Sequence, residues 1–393
     1  MNYSLYVHIP FCQQRCHYCD FNTYTGIAGL IPAYMESVGK EIRVVNTHLQ
    51  QATLHSIYFG GGTPSLVPAS HYQTLLEGIK ACFVLTDDCE ISLEANPGTV
   101  NLAYLSQLRR MGFNRLSLGV QSTDSFDLTR LDRIHTIEDV LASVRIARQA
   151  GFDNLNLDMI FNLPWQDLSS WENSLARAID LSPEHFSLYA LIIEPGTPLS
   201  RWYERGWIAK QNEDLEADMF ELSMKMLKSA GFVHYEISNW AKKDPHRDYR
   251  CRHNLQYWLH LPYIGVGAGA HGYVGGIRTE NVLRIPEYIQ RMNAGWAKKW
   301  RFPGTPATSA QAAMDPLTQM KDFMWLGLRL IDQGVSDERF FNAFGCSIQD
   351  VFGEEVEELL RLGLVSWGKR KSASVRLTQR GVMLANQVFM RFV

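Results

Sequence analysis

Three cysteines stand within eight residues near the N-terminus, Cys12, Cys16 and Cys19 in "HIPFCQQRCHYCDF". Thiolates are soft, anionic ligands that suit iron–sulfur clusters, zinc and copper(I). With C-x3-C-x2-C, one loop can wrap a cuboidal cluster and ligate three corner irons. The fourth iron is then open to an exogenous chelator. Zinc competes for such thiolates, but no fourth Cys or His follows at a finger spacing, and His17 is expected to point away. Covalent haem attachment needs C-x-x-C-H, whereas Cys16-His17 completes a C-x-x-x-C-H that is one residue too long. A knot of buried structural thiols is the remaining alternative. The spacing favours a cluster with one open position.

Other chemistry-bearing residues fall where β-rich runs end. The runs are LYVHIP (5–10), SIYFGGG (56–62), EISLEANP (90–97), RLSLGVQ (115–121), NLNLDMIFNLP (154–164) and HFSLYALIIEPG (185–196). At their ends stand the cysteines, Gly60 to Thr63, Glu94, Gln121, Asp158 and Glu194. Any one of these would pass as a turn or cap residue. Parallel α/β proteins, however, bind ligands at the carboxyl ends of their strands, and here the runs agree on one rim.

Helices must carry those strands. NLAYLSQLRRMGF, IEDVLASVRIARQAGF and DMFELSMKMLKSAGF have apolar residues at helical spacing and stop at Gly112, Gly151 and Gly231. Strand, helix and glycine in alternation predict a parallel α/β sheet with barrel-like closure. From about residue 301 the texture changes, and RFPGTPATSAQAAMDP (301–316) reads as a linker or crossing segment. Residues 317–393 then predict helices, a β-hairpin and a last helix, a winged-helix-like module. The basic run at 369–371 falls on the hairpin tip, where a solvated turn is the simpler reading than DNA contact.

Composition limits the class. The chain has 393 residues, 46% hydrophobic, enough for one large core and a smaller second one. A net charge of −3 argues against a nucleic-acid field over the whole chain. No export signal and no run of 18 apolar residues is visible, so a cytoplasmic protein without a transmembrane segment is expected. In that reducing compartment, seven cysteines suit a metal centre better than disulfides.

C-x3-C-x2-C after a first strand and Gly-Gly-Thr after a second resemble the radical S-adenosylmethionine (SAM) superfamily. The resemblance implies a partial (βα)6 barrel over residues 1–300, with a [4Fe–4S] cluster on Cys12, Cys16 and Cys19. A closer resemblance, over nearly the full length, is to the subfamily of anaerobic coproporphyrinogen III oxidases and HemW-type haem chaperones. LYVHIPFC, FGGGTPS, EANPG, LGVQS, LDMIFNLP and GAGAHGY stand in that subfamily's order. It implies SAM contacts at Tyr6, Gly61, Gly62, Thr63, Glu94, Gln121, Arg133 and Asp158. Glycine would let backbone groups approach the methionyl end, and an Arg fork matches a carboxylate.

Three features favour the chaperone branch. The oxidases carry a further cysteine two residues after the third, where this chain has Phe21, and a longer segment ahead of the cluster. CRHNLQYW resembles the H-N-x-x-Y-W signature of the HemW type, in an extension over about 240–300. That implies haem at His253, Asn254, Tyr257 and Trp258, with Cys251 as a rival iron ligand. The acceptor would be another protein, by resemblance a membrane-bound respiratory one, and no nucleic-acid partner is expected. The competing expectations are oxygen-independent coproporphyrinogen III oxidation, or another radical reaction on a tetrapyrrole, and more remotely a DNA-binding iron–sulfur sensor.

Overall fold

The computed structural model describes residues 2–294, 301–368 and 373–393; the basic run at 369–371 lies outside them. Six parallel strands form its centre: β1 (Asn2–Ile9), β2 (Thr53–Gly61), β3 (Val84–Ala95), β4 (Arg115–Gln121), β5 (Leu155–Phe161) and β6 (His185–Ala190). Helices cross between them: α1 (Ile31–Asn46), α2 (Ala69–Cys82), α3 (Leu102–Met111), α4 (Ser125–Arg130), α5 (Ile137–Gln149) and α6 (Leu168–Asp180). The stops read from sequence are real turns. Gly112 closes α3 in the left-handed conformation, and Thr136 opens α5 in a capping box with Asp139.

The sheet continues beyond the six strands on both sides. After α7 (Pro198–Glu204) and α8 (Glu213–Ser229), strands β7 (Phe232–Glu236) and β8 (Asn239–Lys242) form an antiparallel hairpin, with β8 paired to β6. The short helix α9 (Arg252–Trp258) precedes β9 (Tyr263–Val266), which lies parallel to β1 on its other side. Strands β10 (His271–Val274), β11 (Ile277–Asn281) and β12 (Thr308–Ala313) extend that edge antiparallel. The order β12-β11-β10-β9-β1-β2-β3-β4-β5-β6-β8-β7 does not return on itself, so the barrel is partial. The stretch read as a linker therefore contributes β12; its mixed, polar composition suits a mostly exposed edge strand.

The six central strands largely alternate, with register shifts in β1, β2 and β4. Their outward residues, such as Leu116, Leu118, Leu155, Leu157, Phe186 and Leu188, are buried beneath the helices. Their inward residues are polar: Tyr58, Glu94, Arg115, Ser117, Asn156, Asp158, His185 and Ser187. A parallel sheet packed on both faces would be apolar throughout. This barrel keeps its inner face for polar work.

The C-terminal part has its own core, built around Phe340, Phe352, Val356, Leu359 and Val388. Helices Pro316–Leu328, Asp337–Phe344 and Ile348–Arg361 pack on a three-stranded antiparallel sheet made of Val335–Ser336, Ser374–Leu377 and Val365–Trp367. The last helix, expected as one piece, breaks at Leu384 into Gln379–Met383 and Ala385–Phe389. Among the described residues no helix is long and apolar enough to cross a membrane.

Candidate functional site: a polar barrel with three thiols at its rim

The cysteine loop leaves β1 and is pinned by backbone hydrogen bonds at Cys12 N–H to Tyr24 O (2.9 Å) and His17 N–H to Leu131 O (3.2 Å). His17 turns away, its ring bonded to the Arg130 carbonyl and 3.4 Å from the Asp132 carboxylate. Cys12, Cys16 and Cys19 line one cavity of about 500 Å³ that runs down into the barrel. Burial raises the thiol pKa of Cys12 and Cys19, and neighbouring cysteines add to the rise. At Cys12 the Thr63 hydroxyl, 3.5 Å from Sγ, opposes this. Arg133 Nη1 lies 3.3 Å from Cys16 Sγ.

No three Cys, His, Asp or Glu side chains among the described residues converge on one point as ligands of a single ion would. A cuboidal cluster makes no such demand, because each thiolate takes a different iron. Three thiols on one loop, facing a roomy cavity with two polar donors behind them, fit such a cluster.

The Gly-Gly-Thr turn has a tighter setting than the sequence suggested. Its N–H groups are all engaged, Gly61 with Glu94 Oε2 (3.0 Å), Gly62 with Ile9 O (2.8 Å) and Thr63 with Phe11 O (2.8 Å). A Cβ on Gly62 would lie 2.7 Å from the Phe11 carbonyl. Glycine is thus required here because the turn closes on the cysteine loop itself. With these amides engaged, the acceptors left for a ligand ammonium at this turn are its carbonyl oxygens and the Glu94 carboxylate.

Below the rim, Glu94 accepts from Tyr58 Oη (2.8 Å) and from the Gly61 amide. Burial, then the nearby Asp158 carboxylate, push its pKa up to about 7. Asp158 accepts from Ser117 Oγ and Asn156 Nδ2, both at 2.8 Å, and burial raises its pKa too. Two half-buried carboxylates beside one cavity make a place for a cation and for hydroxyl donors. Arg133 Nη2 donates to Asn96 Oδ1 (2.6 Å) and Gly119 O (2.7 Å), while its buried Nε has no partner among the described residues. Gln121 ends β4 in the left-handed region (φ 68°), beside a register shift. Such backbone in a non-glycine residue clusters at functional sites.

All eight expected SAM contacts line this cavity, Tyr6 and Gln121 included, together with Glu194 from the rim. Tyr58, Arg115, Asn156 and Ser187 belong to it as well and were missed. Their signal was the polar alternation inside the strands, whereas only the strand ends were read.

The H-N-x-x-Y-W segment forms α9, which closes the amino end of the barrel opposite the cysteines. His253 is 1% exposed and stacks on Tyr58 (5.0 Å, 24°). Its Nδ1 bonds Ser56 Oγ (3.0 Å) and its Nε2 bonds Tyr257 Oη (2.8 Å). Burial, with His55 and Arg115 nearby, lowers its pKa to about 3, so the ring is neutral. His253, Asn254 and Tyr257 line the cavity, but Trp258 does not; it faces the C-terminal part, under the Arg329 guanidinium at 4.2 Å. Cys251 is buried, its Sγ 3.6 Å from Glu90 Oε1, and burial pushes its thiol pKa up to about 12.

A partial parallel barrel with a polar lumen and three thiols on a rim loop defines a radical SAM protein, a class that holds a [4Fe–4S] cluster and SAM. The superfamily's sequence profile, "Radical SAM superfamily", matches residues 6–178, and the "HemN C-terminal domain" profile matches 314–384. "Heme chaperone HemW" of Bacillus subtilis is 35% identical over 99% of this chain and 99% of its own length. The same-named protein of Escherichia coli is 40% identical over 69% of this chain and 70% of its own. The chain belongs to the HemW haem-chaperone family. Among solved structures, E. coli coproporphyrinogen III oxidase (HemN) superposes with a TM-score of 0.82 at 23% identity, covering 99% of this chain and 89% of that one, which establishes the shared fold.

Proposed function

We propose that this chain is a cytoplasmic haem chaperone: it takes up haem beside the 253–258 segment and passes it to an acceptor protein. The observation that carries this reading is similarity to HemW chaperones over the whole length, 99% of both chains in the Bacillus subtilis case. It is supported by His253, Asn254 and Tyr257 lining the same cavity as the three cysteines.

Cys12, Cys16 and Cys19 would hold the cluster, which when bound supplies one electron at a time to a bound sulfonium. Thr63 and Arg133 donate toward two of the sulfurs and so stabilise them as thiolates. Glu94 and the carbonyls of Gly61, Gly62 and Thr63 would take the SAM ammonium. The unpartnered Arg133 Nε and the Gln121 amide would take polar and carboxylate groups of the same molecule. Asp158, held by Ser117 and Asn156, has acceptor capacity left for hydroxyls. Tyr6 and Tyr58 close the lumen beneath these groups. The acceptor, by family resemblance, is a membrane-bound respiratory protein.

Anaerobically reconstituted protein should take up haem with a shifted Soret band and lose it to an apo-acceptor. Absence of haem uptake would overturn the reading. So would stoichiometric conversion of coproporphyrinogen III to protoporphyrinogen IX with SAM and a reductant.

A further inference from the structure

A second cavity, of about 630 Å³, adjoins the first on the side where β9 and β10 extend the sheet. Tyr6, Tyr257, Arg15 and Phe21 line both. Its volume lies in the range of pockets that enclose a cofactor-sized ligand. The walls are rich in rings, with Tyr6, Tyr24, Tyr257 and Tyr263 facing one space. Flat aromatic surfaces suit a porphyrin plate.

Two imidazoles reach this second cavity, and a third, His253, lies under Tyr257. His8 is buried, its Nδ1 bonded to Tyr6 Oη (3.0 Å) and its Nε2 to the Asn22 carbonyl (3.0 Å). Both nitrogens of His253 are likewise engaged. His271, at the start of β10, is exposed, and its ring makes no hydrogen bond among the described residues. An iron ligand needs a nitrogen lone pair that is not already shared, and His271 offers one. Arg15 gives two of its donors to the Cys19 and Phe21 carbonyls, 3.2 and 3.4 Å away. The rest of its fork is available to a carboxylate.

Building on the haem-chaperone reading, we infer that haem sits in this second cavity with His271 as its iron ligand. Arg15 meets a propionate, and Tyr257 forms a wall. His253 then acts as a positioning residue, holding the Tyr257 hydroxyl from behind. The signature helix contributes a face of the site, and the metal bond comes from the neighbouring β10. Cargo and SAM would thus occupy adjoining spaces separated by Tyr6 and Tyr257.

The test is an anaerobic haem titration of the reconstituted full chain, followed by its Soret band and by paramagnetic resonance of the ferric form. His271→Ala should bind about tenfold more weakly or worse and lose the imidazole signature, with free imidazole restoring it. His253→Ala should bind more weakly yet keep that signature. In the unaltered protein, haem should shield His271 from carbethoxylation mapped by mass spectrometry, a readout independent of any variant's folding. Wild-type spectra and affinity in His271→Ala, loss of the signature in His253→Ala alone, or unshielded His271 would each overturn the inference while leaving haem carriage intact. Failure of the wild type to take up haem would remove both.

Discussion

Glu94 is half-buried between a tyrosine hydroxyl and a glycine amide, with a second carboxyl near by. Its proton is held more tightly in the folded chain than in the unfolded one. The stabilisation this gives is complete below the ordinary carboxylate range and is lost as pH rises through about 7. Ligand-free protein should therefore melt at falling temperature as pH is raised from about 4.5 to 7, and Glu94→Gln should flatten that slope. SAM affinity, followed calorimetrically, should move the opposite way, rising as Glu94 ionises to meet the ammonium. A pH-independent affinity would count against that contact. Arg133 makes a second case, because it touches Cys16, Asn96 and Gly119 at once. Arg133→Lys keeps the charge but not the fork. Losing one charge-assisted hydrogen bond costs about 1.5–3 kcal/mol, so SAM should bind roughly 10- to 100-fold more weakly. An unaltered Kd in that variant would sink the assignment.

At the scale of elements, α1 is tied to the added sheet edge by one buried carboxylate. Glu41 accepts from the Gly267 amide (2.8 Å), Asn281 Nδ2 (2.8 Å), Tyr288 Oη (2.7 Å) and Thr305 Oγ1 (2.7 Å). Glu41→Ala would leave four buried donors without their acceptor and should cost about 3 kcal/mol or more in urea denaturation. Amide exchange should quicken in 267–281, the stretch that presents His271; unchanged protection there would show that the edge is held by other means. This anchor was not legible in the sequence, where VGKEIRVV resembles an ordinary helix face and the partners stand 226 to 264 residues further on. The central strands were legible, because their short apolar-rich runs end mostly at Gly or Pro, and β4 matches its run over Arg115–Gln121. The cysteine loop was legible for another reason: ligand spacing is local and survives without tertiary context. The outer strands β7 to β12 were not, being only four to six residues long, some of them polar, with pairing set by distant neighbours. The plug formed by α9 escaped too, since a seven-residue helix says nothing about which end of a barrel it covers.

For the whole molecule, the two apolar cores are distinct in membership yet share a seam. Phe220 and Met224 on α8 pack against both. Arg329 adds to this contact, lying over the Trp258 ring and 3.5 Å from Glu236. Scanning calorimetry should accordingly show one cooperative transition, and Phe220→Ala should split it, the C-terminal part melting first. Two transitions in the unaltered chain would mean that the seam carries little coupling. The tyrosines at positions 6 and 257 have a further consequence, since each faces two chambers. A partition can take only one position at a time. If filling either chamber pushes it, occupancy next door must feel the push, and by linkage each guest would alter the other's hold by the same factor. Loading and release would then be adjusted at a shared wall, without any hinge or subunit having to move.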